Sequence, residues 1–119
     1  MAEEEEEEIV TYDERFYYPD GTKKDLSELK VLWKRRVNNQ ARSLLTDTDW
    51  YVSRKAEADT AIPDNVATFR AAIRTKSNQL QTAIDDCDTF DKFVALFEPE
   101  VDENGEWAGN PTIADWPTL

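Results

Sequence analysis

Apolar residues recur at Leu26, Leu29, Trp33, Val37, Ala41, Leu44 and Leu45, with Leu32 beside the stripe. A 3–4 spacing of this kind falls on one face only in a helix. Lys30, Lys34, Arg35, Gln40 and Ser43 occupy the other face. In "DLSE", Asp25 can accept from the amide three residues on while Glu28 reaches back, a capping box that opens the helix. The pattern predicts a helix from Asp25 to about Thr46, with a bend or break at the poor helix formers Asn38 and Asn39.

After Leu45 the chain reads "TDTDWY". Thr and Asp side chains compete for backbone hydrogen bonds, so the helix should stop here and Asp47 or Asp49 should cap a short one carrying Trp50, Tyr51, Arg54 and Ala58. Trp50 then sits at the corner, where burial between both helices would contribute about 2–3 kcal/mol. "DTAIPDN" is a connection, with Pro63 suited to a helix's first turn. A second long helix follows, with Val66, Phe69, Ile73, Leu80, Ala83 and Ile84 on one face and Arg70, Arg74, Lys76 and Gln81 turned partly away. It fades at "DDCD", and "DTFD" opens a short helix bearing Phe90, Phe93, Val94 and Phe97 that Glu98-Pro99 ends. Neither long stripe persists beyond about three heptads, which favours a helical hairpin over an extended coiled coil.

The two ends read differently. "IVTYDERFYYPDG" suggests one or two short extended segments and a Pro-Asp-Gly turn. Asn104-Gly105 between "VDE" and "EWA" is a hairpin signal, and Pro111 and Pro117 punctuate an extended tail with Trp107, Ile113 and Trp116 as anchors. The expected fold is therefore mainly α: an antiparallel helical hairpin with additional short helices, and extended or short β-hairpin arms at both termini. Residues 1–24 form an acidic aromatic arm, 25–98 the helical domain and 99–119 a C-terminal arm. Tyr12, Phe16, Tyr17, Tyr18, Trp107 and Trp116 are too many aromatics for peripheral segments of a self-sufficient monomer, and are expected to form an interface.

Composition narrows the chemistry. At 119 residues the chain is one domain's worth, and its mean hydropathy of −0.74 with 34% charged residues points to a soluble protein with no membrane partner. The acidic start "MAEEEEEEIV" is the opposite of a targeting signal, which suggests a cytosolic location. With one cysteine and no histidine, an internal disulfide, a cysteine metal cluster and most catalytic constellations drop out. The carboxylate groupings (Asp47 with Asp49, Asp85 with Asp86 and Asp88, Glu100 with Asp102) lack the spacing of a glycosidase pair or a calcium loop, and no glycine-rich phosphate loop is present. No catalytic residue, metal or cofactor is expected. Cys87 lies between Asp86 and Asp88, which disfavour a thiolate.

The formal charge of −12 is unevenly distributed. Residues 1–20 carry nine acids against Arg15, residues 23–42 seven bases against Asp25 and Glu28, residues 43–84 balance, and from Asp85 onward ten acids face Lys92. Two readings fit: internal pairing of an acidic end onto the basic stretch, or a charged docking surface. The run "KVLWKRRVNNQAR" could meet phosphate, but the acidic remainder makes direct nucleic-acid binding unfavourable. The same charge supports an alternative role as an acidic nucleic-acid mimic that inhibits a DNA-handling enzyme.

Taken as one unit, residues 42–74 place Arg42, Leu44 and Leu45 before Asp49-Trp50, then Pro63, then Phe69-Arg70 with Arg74 four residues on; "DWP" at Asp115 to Pro117 closes the chain. This pattern resembles a small domain of tailed bacteriophages, the tail or tail-fibre assembly chaperones. The resemblance implies a non-enzymatic protein that binds phage tail or tail-fibre proteins, with self-association as a further option. It would act in the host cytoplasm during assembly or be retained as a virion component. It also suggests that Asp49 pairs with Arg70 or Arg74 across the hairpin while Trp50 packs against Phe69 and Leu45.

Overall fold

Four helices and one small hairpin follow the expected order in the computed structural model, which describes residues 11–119. The glutamate run Glu3–Glu8 and the first part of the expected N-terminal strand, Ile9 and Val10, lie outside the described residues. Helix α1 spans Leu26–Thr46, α2 Asp49–Ala58, α3 Asp64–Asp85 and α4 Phe90–Ala95; strands β1 (Glu100–Val101) and β2 (Trp107–Gly109) and a 3-10 turn at Thr112–Ala114 complete the chain. None of the helices is long and apolar enough to cross a membrane among the described residues.

The caps refine the sequence reading. Asp25 does open α1, but its carboxylate accepts from the Ser27 amide at 3.2 Å, two residues on rather than three. Thr48, not Asp47 or Asp49, is the N-cap of α2. Pro63 stands just before α3, and the Thr89 hydroxyl caps α4 by accepting from the Lys92 amide at 3.2 Å. Asn38 and Asn39 do not break α1, which runs through them without interruption. Val37 and Ala41 on either side of them are buried, and their packing outweighs a propensity deficit of several tenths of a kcal/mol per residue.

Helices α1 and α3 pack antiparallel, and polar ties hold both ends of the pair. At one end the Lys30 ammonium donates to the carbonyls of Asp85 (2.9 Å) and Cys87 (3.0 Å), where the last turn of α3 leaves carbonyls without intrahelical partners. Lys34 forms an ion pair with the Asp85 carboxylate at 2.9 Å. The acidic end of α3 thus neutralises part of the basic helix, so the internal-pairing reading of the charge pattern holds for these residues. At the other end Arg70 of α3 reaches the close of α1, as described below.

The main core cluster holds Phe16, Leu29, Val37, Leu80, Ile84, Cys87, Phe93 and Phe97; a second one holds Ala41, Phe69 and Ile73. Aromatic rings dominate the first. Phe16 meets Phe97 edge-on at 4.8 Å between centroids, Trp33 meets Phe97 at 4.6 Å, and Phe93 lies 6.0 Å from Phe16 and 5.2 Å from Phe97. Such pairs contribute about 0.5–1.5 kcal/mol each beyond the area they bury.

The described part of the N-terminal arm and the tail beyond the hairpin fold back onto this core, which corrects the expectation that these segments are free. Phe16 is fully enclosed in the main cluster, and Tyr17 packs on it with its ring 5.4 Å from that of Phe90. The Pro-Asp-Gly turn makes this possible. The Tyr18 amide donates to the Thr22 carbonyl and the Lys24 amide to the Phe16 carbonyl, both at 2.9 Å, around Gly21 at φ +86°, a left-handed conformation that glycine adopts without strain. At the other end Trp116 packs against both clusters, and the Ile113 amide donates to the Leu96 carbonyl at 3.0 Å. Phe16 and Tyr17 on one side and Ile113 and Trp116 on the other therefore complete the core of residues 25–98, while the hairpin between Glu100 and Gly109 stays exposed. The Asn104-Gly105 hairpin forms as expected, pairing Glu100 with Gly109 and Val101 with Trp107, with Gly105 at φ +78°. The Asp102 carboxylate ties its turn by accepting from the amides of Asn104 (2.8 Å) and Glu106 (2.9 Å).

Candidate functional site

The corner between α1 and α2 is built around an arginine and a threonine. Arg70 is buried on the inner face of α3, so the expectation that it turns partly away fails. Its Nη1 donates to the Leu45 carbonyl (3.0 Å), the Thr48 hydroxyl (2.8 Å) and the Asp49 carboxylate (3.0 Å). Thr48 is itself buried, and its hydroxyl donates to the Leu45 carbonyl at 3.1 Å. Leu45 supplies one of the carbonyls that the end of a helix leaves over. The long reach and multiple donors of one guanidinium let α3 satisfy that end and fix where α2 begins.

Of the pairings proposed for Asp49, the structure contains the one with Arg70. Arg74 is exposed and forms no ion pair among the described residues. Leu45, with Leu44, packs against the Ala41, Phe69 and Ile73 cluster as expected.

Trp50 contradicts the sequence reading. It is 51% exposed and is not wedged between Phe69 and Leu45. Its ring stacks on Tyr51 at 3.7 Å between centroids with the planes 28° apart, and the Arg54 guanidinium lies over both rings at 4.9 and 5.4 Å. The physical reason is occupancy. Arg70 and Thr48 already fill the corner, and Trp50 is left on the outward side of a helix that begins one residue earlier. No residue of α2 is buried, and Val52 adds further exposed apolar surface. A ten-residue helix with nothing buried thus presents Trp50 and Val52 outward, with Tyr51 half-buried against the Trp50 ring and Arg54 one turn from Trp50 holding the two rings together.

The remaining candidates divide. Tyr12, Tyr18 and Trp107 are exposed, Trp107 at 67%; Phe16 is buried, while Tyr17 and Trp116 are partly buried in the core, so these three cannot serve as free interface anchors. Asp85 is engaged by Lys34, and Asp88 by Lys92 at 2.7 Å, which holds the Asp88 carboxyl below its usual range and the Lys92 ammonium above its own. No grouping of three or more metal-ligating side chains occurs among the described residues.

No family model, curated protein or solved structure matches the chain.

Sequence reasoning missed Thr48 and Val52. Both carried a signal: Thr48 continues the α1 stripe four residues after Leu44, and Val52 breaks the polar pattern on the solvent side of α2. Cys87 is buried, with its thiol donating to the Ala83 carbonyl at 3.2 Å, and burial pushes its pKa up. Both features suppress the thiolate. In native protein at pH 8 a thiol-specific chromogenic reagent should label Cys87 at least about tenfold more slowly than in denaturant. Equal rates in the two conditions would show that the site opens freely.

Proposed function

We propose that this chain is a non-enzymatic bacteriophage tail protein that acts by protein–protein binding in assembly of the tail or tail fibre, with α2 as its recognition element. The observation that carries the reading is the exposed Trp50 and Val52, with the half-buried Tyr51 stacked on Trp50, on a helix without a single buried residue. Arg54 restrains the stacked pair, so little side-chain freedom is left to lose on binding. Tryptophan, tyrosine and arginine are the residue types that dominate binding energetics at protein interfaces. The residues behind the family resemblance support the same reading. Leu44, Leu45 and Phe69 share one cluster, Arg70 holds Asp49, and Trp50 faces outward beside them. In this reading the corner is a mount and α2 is what it presents.

The test is co-expression with tail and tail-fibre subunits followed by affinity capture. Wild-type protein should retain such a subunit. Trp50→Ala should weaken capture at least about tenfold, equivalent to about 1.4 kcal/mol, while leaving the circular dichroism spectrum unchanged. Undiminished capture by a folded Trp50→Ala protein, or recovery of a DNA-handling enzyme instead, would reject the reading. Mass spectrometry of purified particles would then separate a transient chaperone of the host cytoplasm from a virion component.

A further inference from the structure

The side of α1 turned away from α3 carries Val31, Leu32, Arg35 and Arg42, opposite the buried Leu29, Val37 and Ala41. Val31 is 62% exposed, and Leu32 beside it is exposed too. Val31 and Arg35 are one turn apart and Arg42 lies two turns further along the same side. Arg35 and Arg42 form no ion pair among the described residues, whereas Lys34 is already engaged with Asp85. The result is a shallow apolar strip with Glu28 at its N-terminal end and the positive charges of Arg35 and Arg42 along the remainder.

The β1–β2 hairpin carries the complementary features. Val101 and Trp107 are partners across the two strands, which puts their side chains on one face of the ribbon, and both are more than 60% exposed. Glu98, Glu100, Asp102, Glu103 and Glu106 flank them along the chain, with no base between Glu98 and Gly109. Asp102 is occupied in holding the turn, which keeps the tip rigid. An isolated two-stranded ribbon with an uncovered apolar face is marginal in water, so covering that face stabilises it.

We propose that the hairpin of one copy docks on the outer face of α1 of a second copy, with Trp107 and Val101 over Val31 and Leu32 and the hairpin glutamates beside Arg35 and Arg42. Hairpin and helix face are different patches, so the contact is heterologous. Each copy joined this way keeps one unused hairpin or one unused face, and association continues head to tail. The net charge of −12 opposes any self-contact at long range. Opposite charges in direct contact lie well inside the Debye length of about 8 Å at physiological salt, where the local pairing prevails. The surface is separate from Trp50 and α2, and the inference does not rest on the tail-assembly reading.

Sedimentation velocity across a concentration series of the full chain tests it. Wild-type protein should grow with concentration through dimer to longer species. Trp107→Ala, which keeps the α1 face, and Val31→Glu, which keeps the hairpin and a good helix former at position 31, should each weaken self-association at least about tenfold. An equimolar mixture of the two variants should form a dimer that grows no further, because the one intact hairpin meets the one intact face. Trp50→Ala should associate as wild type. A wild-type chain that stays monomeric to about 1 mM, a mixture that stays monomeric, or loss of association in Trp50→Ala would each overturn the proposal.

Discussion

Phe93→Ala is expected to destabilise the protein by about 3–5 kcal/mol, the largest effect of any single truncation in the chain. The Phe93 ring is completely buried and touches the rings of Phe16, carried by the N-terminal arm, and Phe97, which follows α4. Removing it opens a cavity where three separate segments meet: the arm, the α1–α3 pair and α4. The neighbouring rings sit in fixed edge-on arrangements and cannot collapse to fill it. For a chain of this length the loss corresponds to a fall in thermal midpoint of about 10–20 °C. A second readout follows from the same packing: Tyr17, whose ring lies against Phe90, should gain solvent accessibility as the arm loosens. A midpoint within about 3 °C of wild type would show that the arm and α4 do not share one cooperative core.

Arg70→Ala should cost about 2–4 kcal/mol, measured by chemical denaturation. A single nitrogen of Arg70 serves the Leu45 carbonyl, the Thr48 hydroxyl and the Asp49 carboxylate, and Thr48 is buried. Its removal leaves that corner short of a donor and strips packing from the inner face of α3. Asp49→Ala should cost less than about 1 kcal/mol, because the Asp49 side chain is 59% exposed and water already screens the pair. Arg70→Lys should recover only part of the loss, since one ammonium on a different stem does not reproduce the planar guanidinium. The ordering matters more than the absolute values. If Asp49→Ala proved as costly as Arg70→Ala, the ion pair rather than the backbone and hydroxyl contacts would hold the corner. Trp50→Ala should fall within about 1 kcal/mol of wild type, the reverse of what a wedged indole predicts.

The helices were legible in the sequence because their information is local and repeated. The 3–4 recurrence from Leu26 to Leu45 and from Val66 to Ile84, the acidic and threonine-rich junctions, and the Asn-Gly turn each specify backbone geometry within a few residues. The α1, α3 and α4 elements, the hairpin and the Asp49–Arg70 pair could therefore be anticipated from spacing or from the resemblance. Single aromatic residues have no such redundancy. Phe16 and Trp107 both sit in polar, turn-rich segments, yet one fills the core and the other faces water. Only the path of each arm across the helices separates them.

The same limit explains Trp50. The amino-acid sequence by itself determined that a helix ends near Thr46 and another begins beside Trp50, because side-chain competition for backbone groups acts over three or four residues. Tertiary structure alone decided that Arg70, arriving from more than twenty residues away, would fill the corner with Thr48 and turn the indole outward. A volume can be occupied once, and which side chain takes it depends on distances that no local pattern encodes.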